Sequence, residues 1–161
     1  MSQPYYYACS YPLVPGSVVE KGNWGRICRV ESLSANLPRL LKEMIFENVR
    51  LKEFPHRPSR FDCNFICPNL LSLRRFREHT SKNRPFDLFY EVEPTDMNAR
   101  RLETDWSLVD QAGALMSQAS TNVAAVEKIA RRYWNPEGIA EDLKEVLFES
   151  DIKIIRRIVL G

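Results

Sequence analysis

The chain reads as an α+β protein with a mixed or antiparallel sheet, and three observations predict it. Its segments run as strands, helix, strand, helix, strand, helices, strands, which is not the regular βαβ alternation of a parallel sheet. It opens on three consecutive tyrosines, Tyr5, Tyr6 and Tyr7, a residue type that favours strands. It closes on two apolar runs, residues 143–148 and 152–160, that face each other across a turn at 149–151.

Taken in order, residues 5–10 form the first expected strand, with Tyr5 and Tyr7 on one face and Tyr6 on the other. Pro12, Pro15 and Gly16 turn the chain, Val18 and Val19 give a short second strand, and residues 21–23 turn again. Leu37, Leu40, Leu41, Met44 and Ile45 recur at three and four, which predicts one face of a helix. Asn36 is its expected N-cap, with Pro38 in the first turn where a missing N–H costs nothing. Pro55 and Pro58 end that segment. Residues 64–67 read as a short buried strand, and Pro68 and Asn69 open a helix carrying Leu70, Leu73 and Phe76. Residues 86–92 are the clearest later strand, closed by Pro94 and followed by a polar, acidic loop. Residues 106–116 and 121–133 read as helices, the second with Val123, Val126, Ala130 and Tyr133 toward the core, before Pro136 and Gly138 break the chain.

With 161 residues, 44% of them hydrophobic, the chain suits one domain over 1–161. A net charge of +2 supplies no global field toward nucleic acid or membrane. The paired arginines read as solvated edges; a nucleic-acid surface of Arg74, Arg75, Arg77, Arg131 and Arg132 is the weaker alternative. Cys63 and Cys67 lack the spacing of a zinc knuckle, and His56 and His79 lie apart from them, so no metal is expected. On a strand these two thiols stand too far apart for a disulfide, which suits a reducing, cytoplasmic setting. No basic segment with an apolar run marks a leader, and no stretch is long and apolar enough to span a bilayer, so no membrane partner is expected. P-loop, GxGxxG, GxSxG and HExxH motifs are absent.

Three blocks carry more information than these patterns. The first is PYYYACSY with the following VPGSVVEKGNWGR, the second NFICPNLLSLRRF, and the third LFYEVEPTDMNARRLETDW. By residue type alone, Tyr7 is a half-buried strand tyrosine and Phe65 is plain core. Asp105 is a helix N-cap with Thr104 as its rival, Arg26 a solvated turn residue, Trp24 a core lid, and Glu145 the solvent face of an edge strand. In order, over most of residues 5–106, the blocks resemble the small bacterial ADP-ribosyltransferases, most of all the rifampin-modifying ones. The WGR and YEVE features are also similar to uncharacterised bacterial proteins.

The resemblance implies an ADP-ribosyltransferase-like fold of mixed or antiparallel sheets with flanking helices. It implies NAD as substrate and ADP-ribose transfer to an unknown protein, nucleic-acid or small-molecule acceptor, in a toxin, defence or modification role. The family uses a His-Tyr-Asp triad, elsewhere His-Tyr-Glu, and its three positions fall here on Tyr7, Phe65 and Asp105. Tyr7 would hold the ribose, Phe65 would stack on nicotinamide, and Asp105 would stabilise an oxocarbenium-like ribose. Arg26 would grip the pyrophosphate and Trp24 wall the cleft. Glu145 is a second candidate acid, because many relatives keep a Glu on a core strand. The alternative, implied by the changes at Tyr7 and Phe65, is a binding module on the same fold without catalysis.

Overall fold

The computed structural model describes residues 3–80 and 88–161, and within them the chain is α+β with antiparallel sheets. In order come β1 (Tyr5–Cys9), β2 (Val18–Val19), α1 (Asn23–Val30), α2 (Leu33–Glu53), β3 (Asn64–Ile66) and α3 (Leu70–Thr80). Then follow β4 (Leu88–Pro94), β5 (Arg101–Asp105), α4 (Ser107–Met116), α5 (Val123–Trp134), β6 (Lys144–Phe148) and β7 (Ile152–Ile158). Of the strand expected over 86–92, Phe86 and Asp87 lie outside the described residues.

A four-stranded sheet has the order β1-β4-β7-β2 and a three-stranded sheet the order β3-β6-β5. One bridge joins them: the Tyr6 N–H donates to the Cys67 carbonyl at 2.9 Å and the Cys67 N–H to the Tyr6 carbonyl at 2.7 Å. Strand alternation then sorts the side chains. Tyr5, Tyr7, Tyr90, Val92, Ile152 and Ile154 of the larger sheet meet Ile66, Val146 and Phe148 of the smaller one in a shared core. The opposite face of the smaller sheet, with Leu102 and Leu147, packs on α2, α4 and α5 around Phe46, Val126, Ala130 and Trp134. Tyr6 and Ala8 point away from the shared core, toward Phe89 and Leu73 of α3. The tyrosine run therefore divides two and one between the faces of β1.

The helices correct the sequence expectations in several places. The turn at 21–23 leads directly into α1, which the sequence pattern did not suggest. Gly22 begins it in the left-handed region, with φ +80°. Gly25 is required by space: a Cβ there would stand 2.3 Å from the Phe61 carbonyl oxygen. We expect Gly25→Ala to cost about 1–3 kcal/mol through forced backbone displacement, read as a lowered urea midpoint at unchanged slope. A midpoint equal to that of the wild type would show that the contact yields freely.

Helix α2 begins at Leu33 as two helical segments that meet at Asn36, so the segment expected to start there, with Pro38 in its first turn, is present and is preceded by a shorter one. Asn36 leaves helical geometry (φ −127°, ψ 16°) and kinks the helix just ahead of Pro38, where the lost hydrogen bond is least damaging. Its buried stripe is Leu40, Glu43, Phe46, Val49 and Arg50, whereas Leu37, Leu41 and Met44 face solvent. Val123 on α5 is likewise exposed. The polar loop expected after Pro94 contains β5, which pairs with β6 from Arg101↔Phe148 to Asp105↔Lys144.

Candidate functional site

A glutamate on the buried stripe of α2 needs a partner, since an unpaired buried carboxylate is strongly disfavoured. The chain supplies Arg60 by clamping the loop after α2 onto the helix itself. Arg50 Nη1 donates to the Arg57 carbonyl at 2.9 Å, and its Nη2 to Glu47 Oε1 at 2.6 Å. Ser59 Oγ donates to Glu47 Oε2 at 3.0 Å and accepts from the Phe61 N–H at 3.1 Å, capping a single 3-10 turn over Arg60–Asp62. Arg60 is thereby turned inward.

Its guanidinium makes a fork to Glu43, with Nε to Oε2 at 2.9 Å and Nη2 to Oε1 at 3.2 Å. Nη1 donates to the Tyr133 hydroxyl at 2.5 Å, and that hydroxyl donates to Glu145 Oε1 at 2.8 Å. Nη1 also stands 3.6 Å from Glu145 Oε1. The flat cation lies over the rings of Phe65 and Tyr133, at 4.8 Å and 5.2 Å from their centres. Four elements thus converge: α2 brings Glu43, the loop before β3 brings Arg60, α5 brings Tyr133, and β6 brings Glu145. Thr104 Oγ1 donates to the Tyr133 carbonyl at 2.6 Å and anchors the end of α5 on β5.

The two carboxyls around this one cation are not equivalent. Burial pushes Glu43 up, but Arg60, Lys42 and the nearby Trp24 indole together outweigh it and hold the carboxyl low. Burial pushes Glu145 up as well, and here Arg60 and the Tyr133 hydroxyl offset it only in part, while the charges of Glu43 and Asp110 add to the rise. Burial raises Tyr133 far above an ordinary phenol, so it stays protonated and donates. Lys42, with its ammonium 3.9 Å from Glu43 Oε1, is lowered by burial. Perturbed titratable groups pushed in opposite directions around one charge are a physical signature of a functional site, though ion-pair networks share it.

The site residues named from the sequence divide between this cluster and other places. Phe65 and Glu145 share one face of the smaller sheet: Phe65 is opposite Leu147, two residues from Glu145. Trp24 lies against Arg39, whose guanidinium is 5.5 Å from the ring centre, and near Glu43. The Trp24 N–H is buried and has no partner in hydrogen-bond geometry among the described residues, yet is close enough to Glu43 to help lower it. Tyr7 belongs to the other core, between the two sheets, where burial and the neighbouring Tyr11 keep its hydroxyl protonated. Tyr7 and Phe65 therefore pack into different cores and do not form the grouping the resemblance implies. Asp105 pairs in register with Lys144, so it falls on the sheet face opposite Glu145. Its Oδ1 accepts from the Ser107 N–H at 2.8 Å and Ser107 Oγ at 2.6 Å, at the entry to α4. Arg26 donates to the Lys21 carbonyl at 2.9 Å and lines a shallow surface pocket with Lys21, Arg29, Phe61, Asp62 and Glu149.

Sequence reasoning missed Glu43, Arg60 and Tyr133 as a unit. The available signal was the charge at position 43 inside the spacing of Leu40, Phe46 and Val49, which hydropathy counts as solvent face. Among the described residues the four cysteines are free, no acid, His or Cys cluster is placed to hold a metal, and no helix is long and apolar enough to cross a membrane.

Fold and cluster together define an α+β protein of two antiparallel sheets with a buried Glu43 and a partly buried Glu145 bridged by arginine and tyrosine. The chain belongs to the family DUF2441, described as a protein of unknown function, whose model matches residues 17–159. No curated protein matches it.

Proposed function

We propose that this chain binds NAD and transfers ADP-ribose to an acceptor, with Glu145 as the acid beside the reacting ribose. The observation that carries the reading is the Glu145 carboxyl itself. It sits on the central strand of the smaller sheet, 13% exposed, hydrogen-bonded by Tyr133 and diagonal to Phe65 on the same face. The resemblance names a Glu on a core strand as an acid of this chemistry, and a carboxylate already stripped of water interacts strongly with a developing oxocarbenium-like cation. In this reading Glu145 takes the role first expected of Asp105, Phe65 and Trp24 give the apolar walls, and Arg26 with Lys21 and Arg29 offers phosphate-binding charge. The acceptor and any toxin, defence or modification role extend the same proposal.

A second reading, a binding module on this framework without catalysis, is favoured by three placements. Tyr7 is in another core, Asp105 is engaged with Ser107, and one side of the Phe65 ring carries Arg60. Thermal unfolding with and without NAD tests the substrate that both readings of the resemblance need. A ligand at 100 times its Kd adds about 2.7 kcal/mol, so several millimolar NAD is expected to raise the melting temperature by roughly 5–10 °C at tight binding. An unchanged melting temperature would remove NAD from the account.

A further inference from the structure

Helix α2 carries a second apolar face, turned away from the core. Leu40, Phe46 and Val49 are buried, whereas Leu37, Leu41, Met44 and Leu51 are 45%, 40%, 62% and 59% exposed. Single exposed aliphatics are ordinary on a protein surface, but these four share one line with the exposed Asn48. We propose that this line is a self-association seam, along which two copies of the chain pair through α2, side by side and parallel, about a twofold axis. The seam is independent of the Glu145 reading.

The spacing is that of a helix pair. From Leu37 through Leu41, Met44 and Asn48 to Leu51 the steps are four, three, four and three residues, the a and d alternation of a two-stranded coiled coil. The break at Asn36 precedes the seam, so α2 is regular along all of it. Over two heptads a straight helix drifts only about 40° from the strict repeat, which the line accommodates. So short a seam would not hold two helices that must fold as they pair. Here α2 is already fixed by the core behind it, and association does not carry the cost of helix nucleation.

Two features select a second copy in parallel. Asn48 occupies an a position, where a parallel pair sets it against Asn48 of the other copy, one amide N–H donating to the other amide oxygen. An antiparallel pair sets it against Leu37, Leu41 or Met44 and leaves the amide without a partner. The flanks agree. Glu47 is a g position and Lys52 the e position five residues on, so a parallel pair brings Glu47 of each copy beside Lys52 of the other. Arg50 and Ser59 hold the Glu47 carboxylate in place, and its oxygens have capacity for a further donor, while Lys52 is exposed. The preceding g and e positions, Leu40 and Ile45, are both apolar.

The test is sedimentation equilibrium of the wild type, Met44→Glu and Lys52→Glu, each confirmed folded by its thermal transition. A seam of this length lies at the small end of protein interfaces, so a wild-type dimer with a dissociation constant on the order of 10–100 µM is expected. Met44→Glu sets two carboxylates face to face in the middle layer and should leave only monomer. Lys52→Glu sets a carboxylate against Glu47 on both flanks and should weaken the dimer at least about 10-fold. A wild type that stays monomeric at about 500 µM would leave the face to a different protein and overturn the proposal. A dimer that survives Met44→Glu overturns it as well. A dimer that Met44→Glu dissociates and Lys52→Glu leaves unchanged overturns the parallel arrangement.

Discussion

Arg60→Met should be among the most damaging single changes the chain can suffer. Among the described residues Arg60 is the only cation that bonds Glu43 in a fork, and it also holds the Tyr133 hydroxyl and faces Glu145. Removing one partner of a buried pair leaves the other charge without compensation, at a cost of about 3–5 kcal/mol. For a chain of this size that lowers the melting temperature by roughly 6–20 °C. Replacing both members is a different matter, since an apolar pair of similar volume is often neutral. Glu43→Leu combined with Arg60→Met should therefore recover most of the loss, and urea unfolding of the two singles and the double measures the coupling directly. A loss below 1 kcal/mol for Arg60→Met would mean that water or rearrangement satisfies Glu43, and that the cluster is not the centre of this core.

Glu145→Gln should separate stability from function. Burial raises the Glu145 carboxyl in the folded chain above its unfolded value. Its contribution to stability is therefore fully present below the unfolded carboxylate range, about pH 4, and is lost as pH rises through the higher folded value. Glu43 behaves oppositely: held low, it contributes above the unfolded value, and that contribution is lost as pH falls through the folded one. Glutamine keeps an acceptor for Tyr133 and does not titrate. We expect the stability of Glu145→Gln relative to the wild type to improve steadily as pH rises from about 4 toward 8, and its melting temperature at pH 8 to equal or exceed that of the wild type. NAD turnover should fall at least about 100-fold in the same variant. A side chain that lowers stability at neutral pH and yet governs activity is what a functional carboxyl looks like. If Glu145→Gln were strongly destabilising at pH 8, Glu145 would be a structural partner of Arg60.

The α+β class, most strands and the two late helices were legible because their apolar periods are simple. The misreadings have a common physical cause. The sequence pattern runs the stripe of α2 through Leu37, Leu40, Leu41, Met44 and Ile45, of which Leu37, Leu41 and Met44 are exposed, because Glu43 and Arg50 sit on the buried face and look polar. Their burial depends on Arg60 and on the loop that turns it inward, partners distant in sequence that no local pattern reveals. Strand β5 looks like loop in the sequence because Arg101, Glu103 and Asp105 are hydrophilic, yet Leu102 and Thr104 between them are buried, an alternation of five residues. Helix α1 gives no helical signal in the sequence because the turn at 21–23 precedes it and Gly25 lies within it, whereas Gly25 serves close contact with Phe61. For the site, Phe65, Trp24 and Glu145 fall around one cluster, but Tyr7, Asp105 and Arg26 do not. For Asp105 strand register decides this, since its pairing with Lys144 puts it on the face opposite Glu145, and one residue of shift moves a side chain to the other face.

The most direct measurement is nicotinamide release from NAD by the wild type and by Glu145→Gln, each confirmed folded by its thermal transition. The account predicts release by the wild type, and a variant that still gains thermal stability from NAD while releasing nicotinamide at least about 100-fold more slowly. Equal release by the two proteins, or none by the wild type, would contradict it.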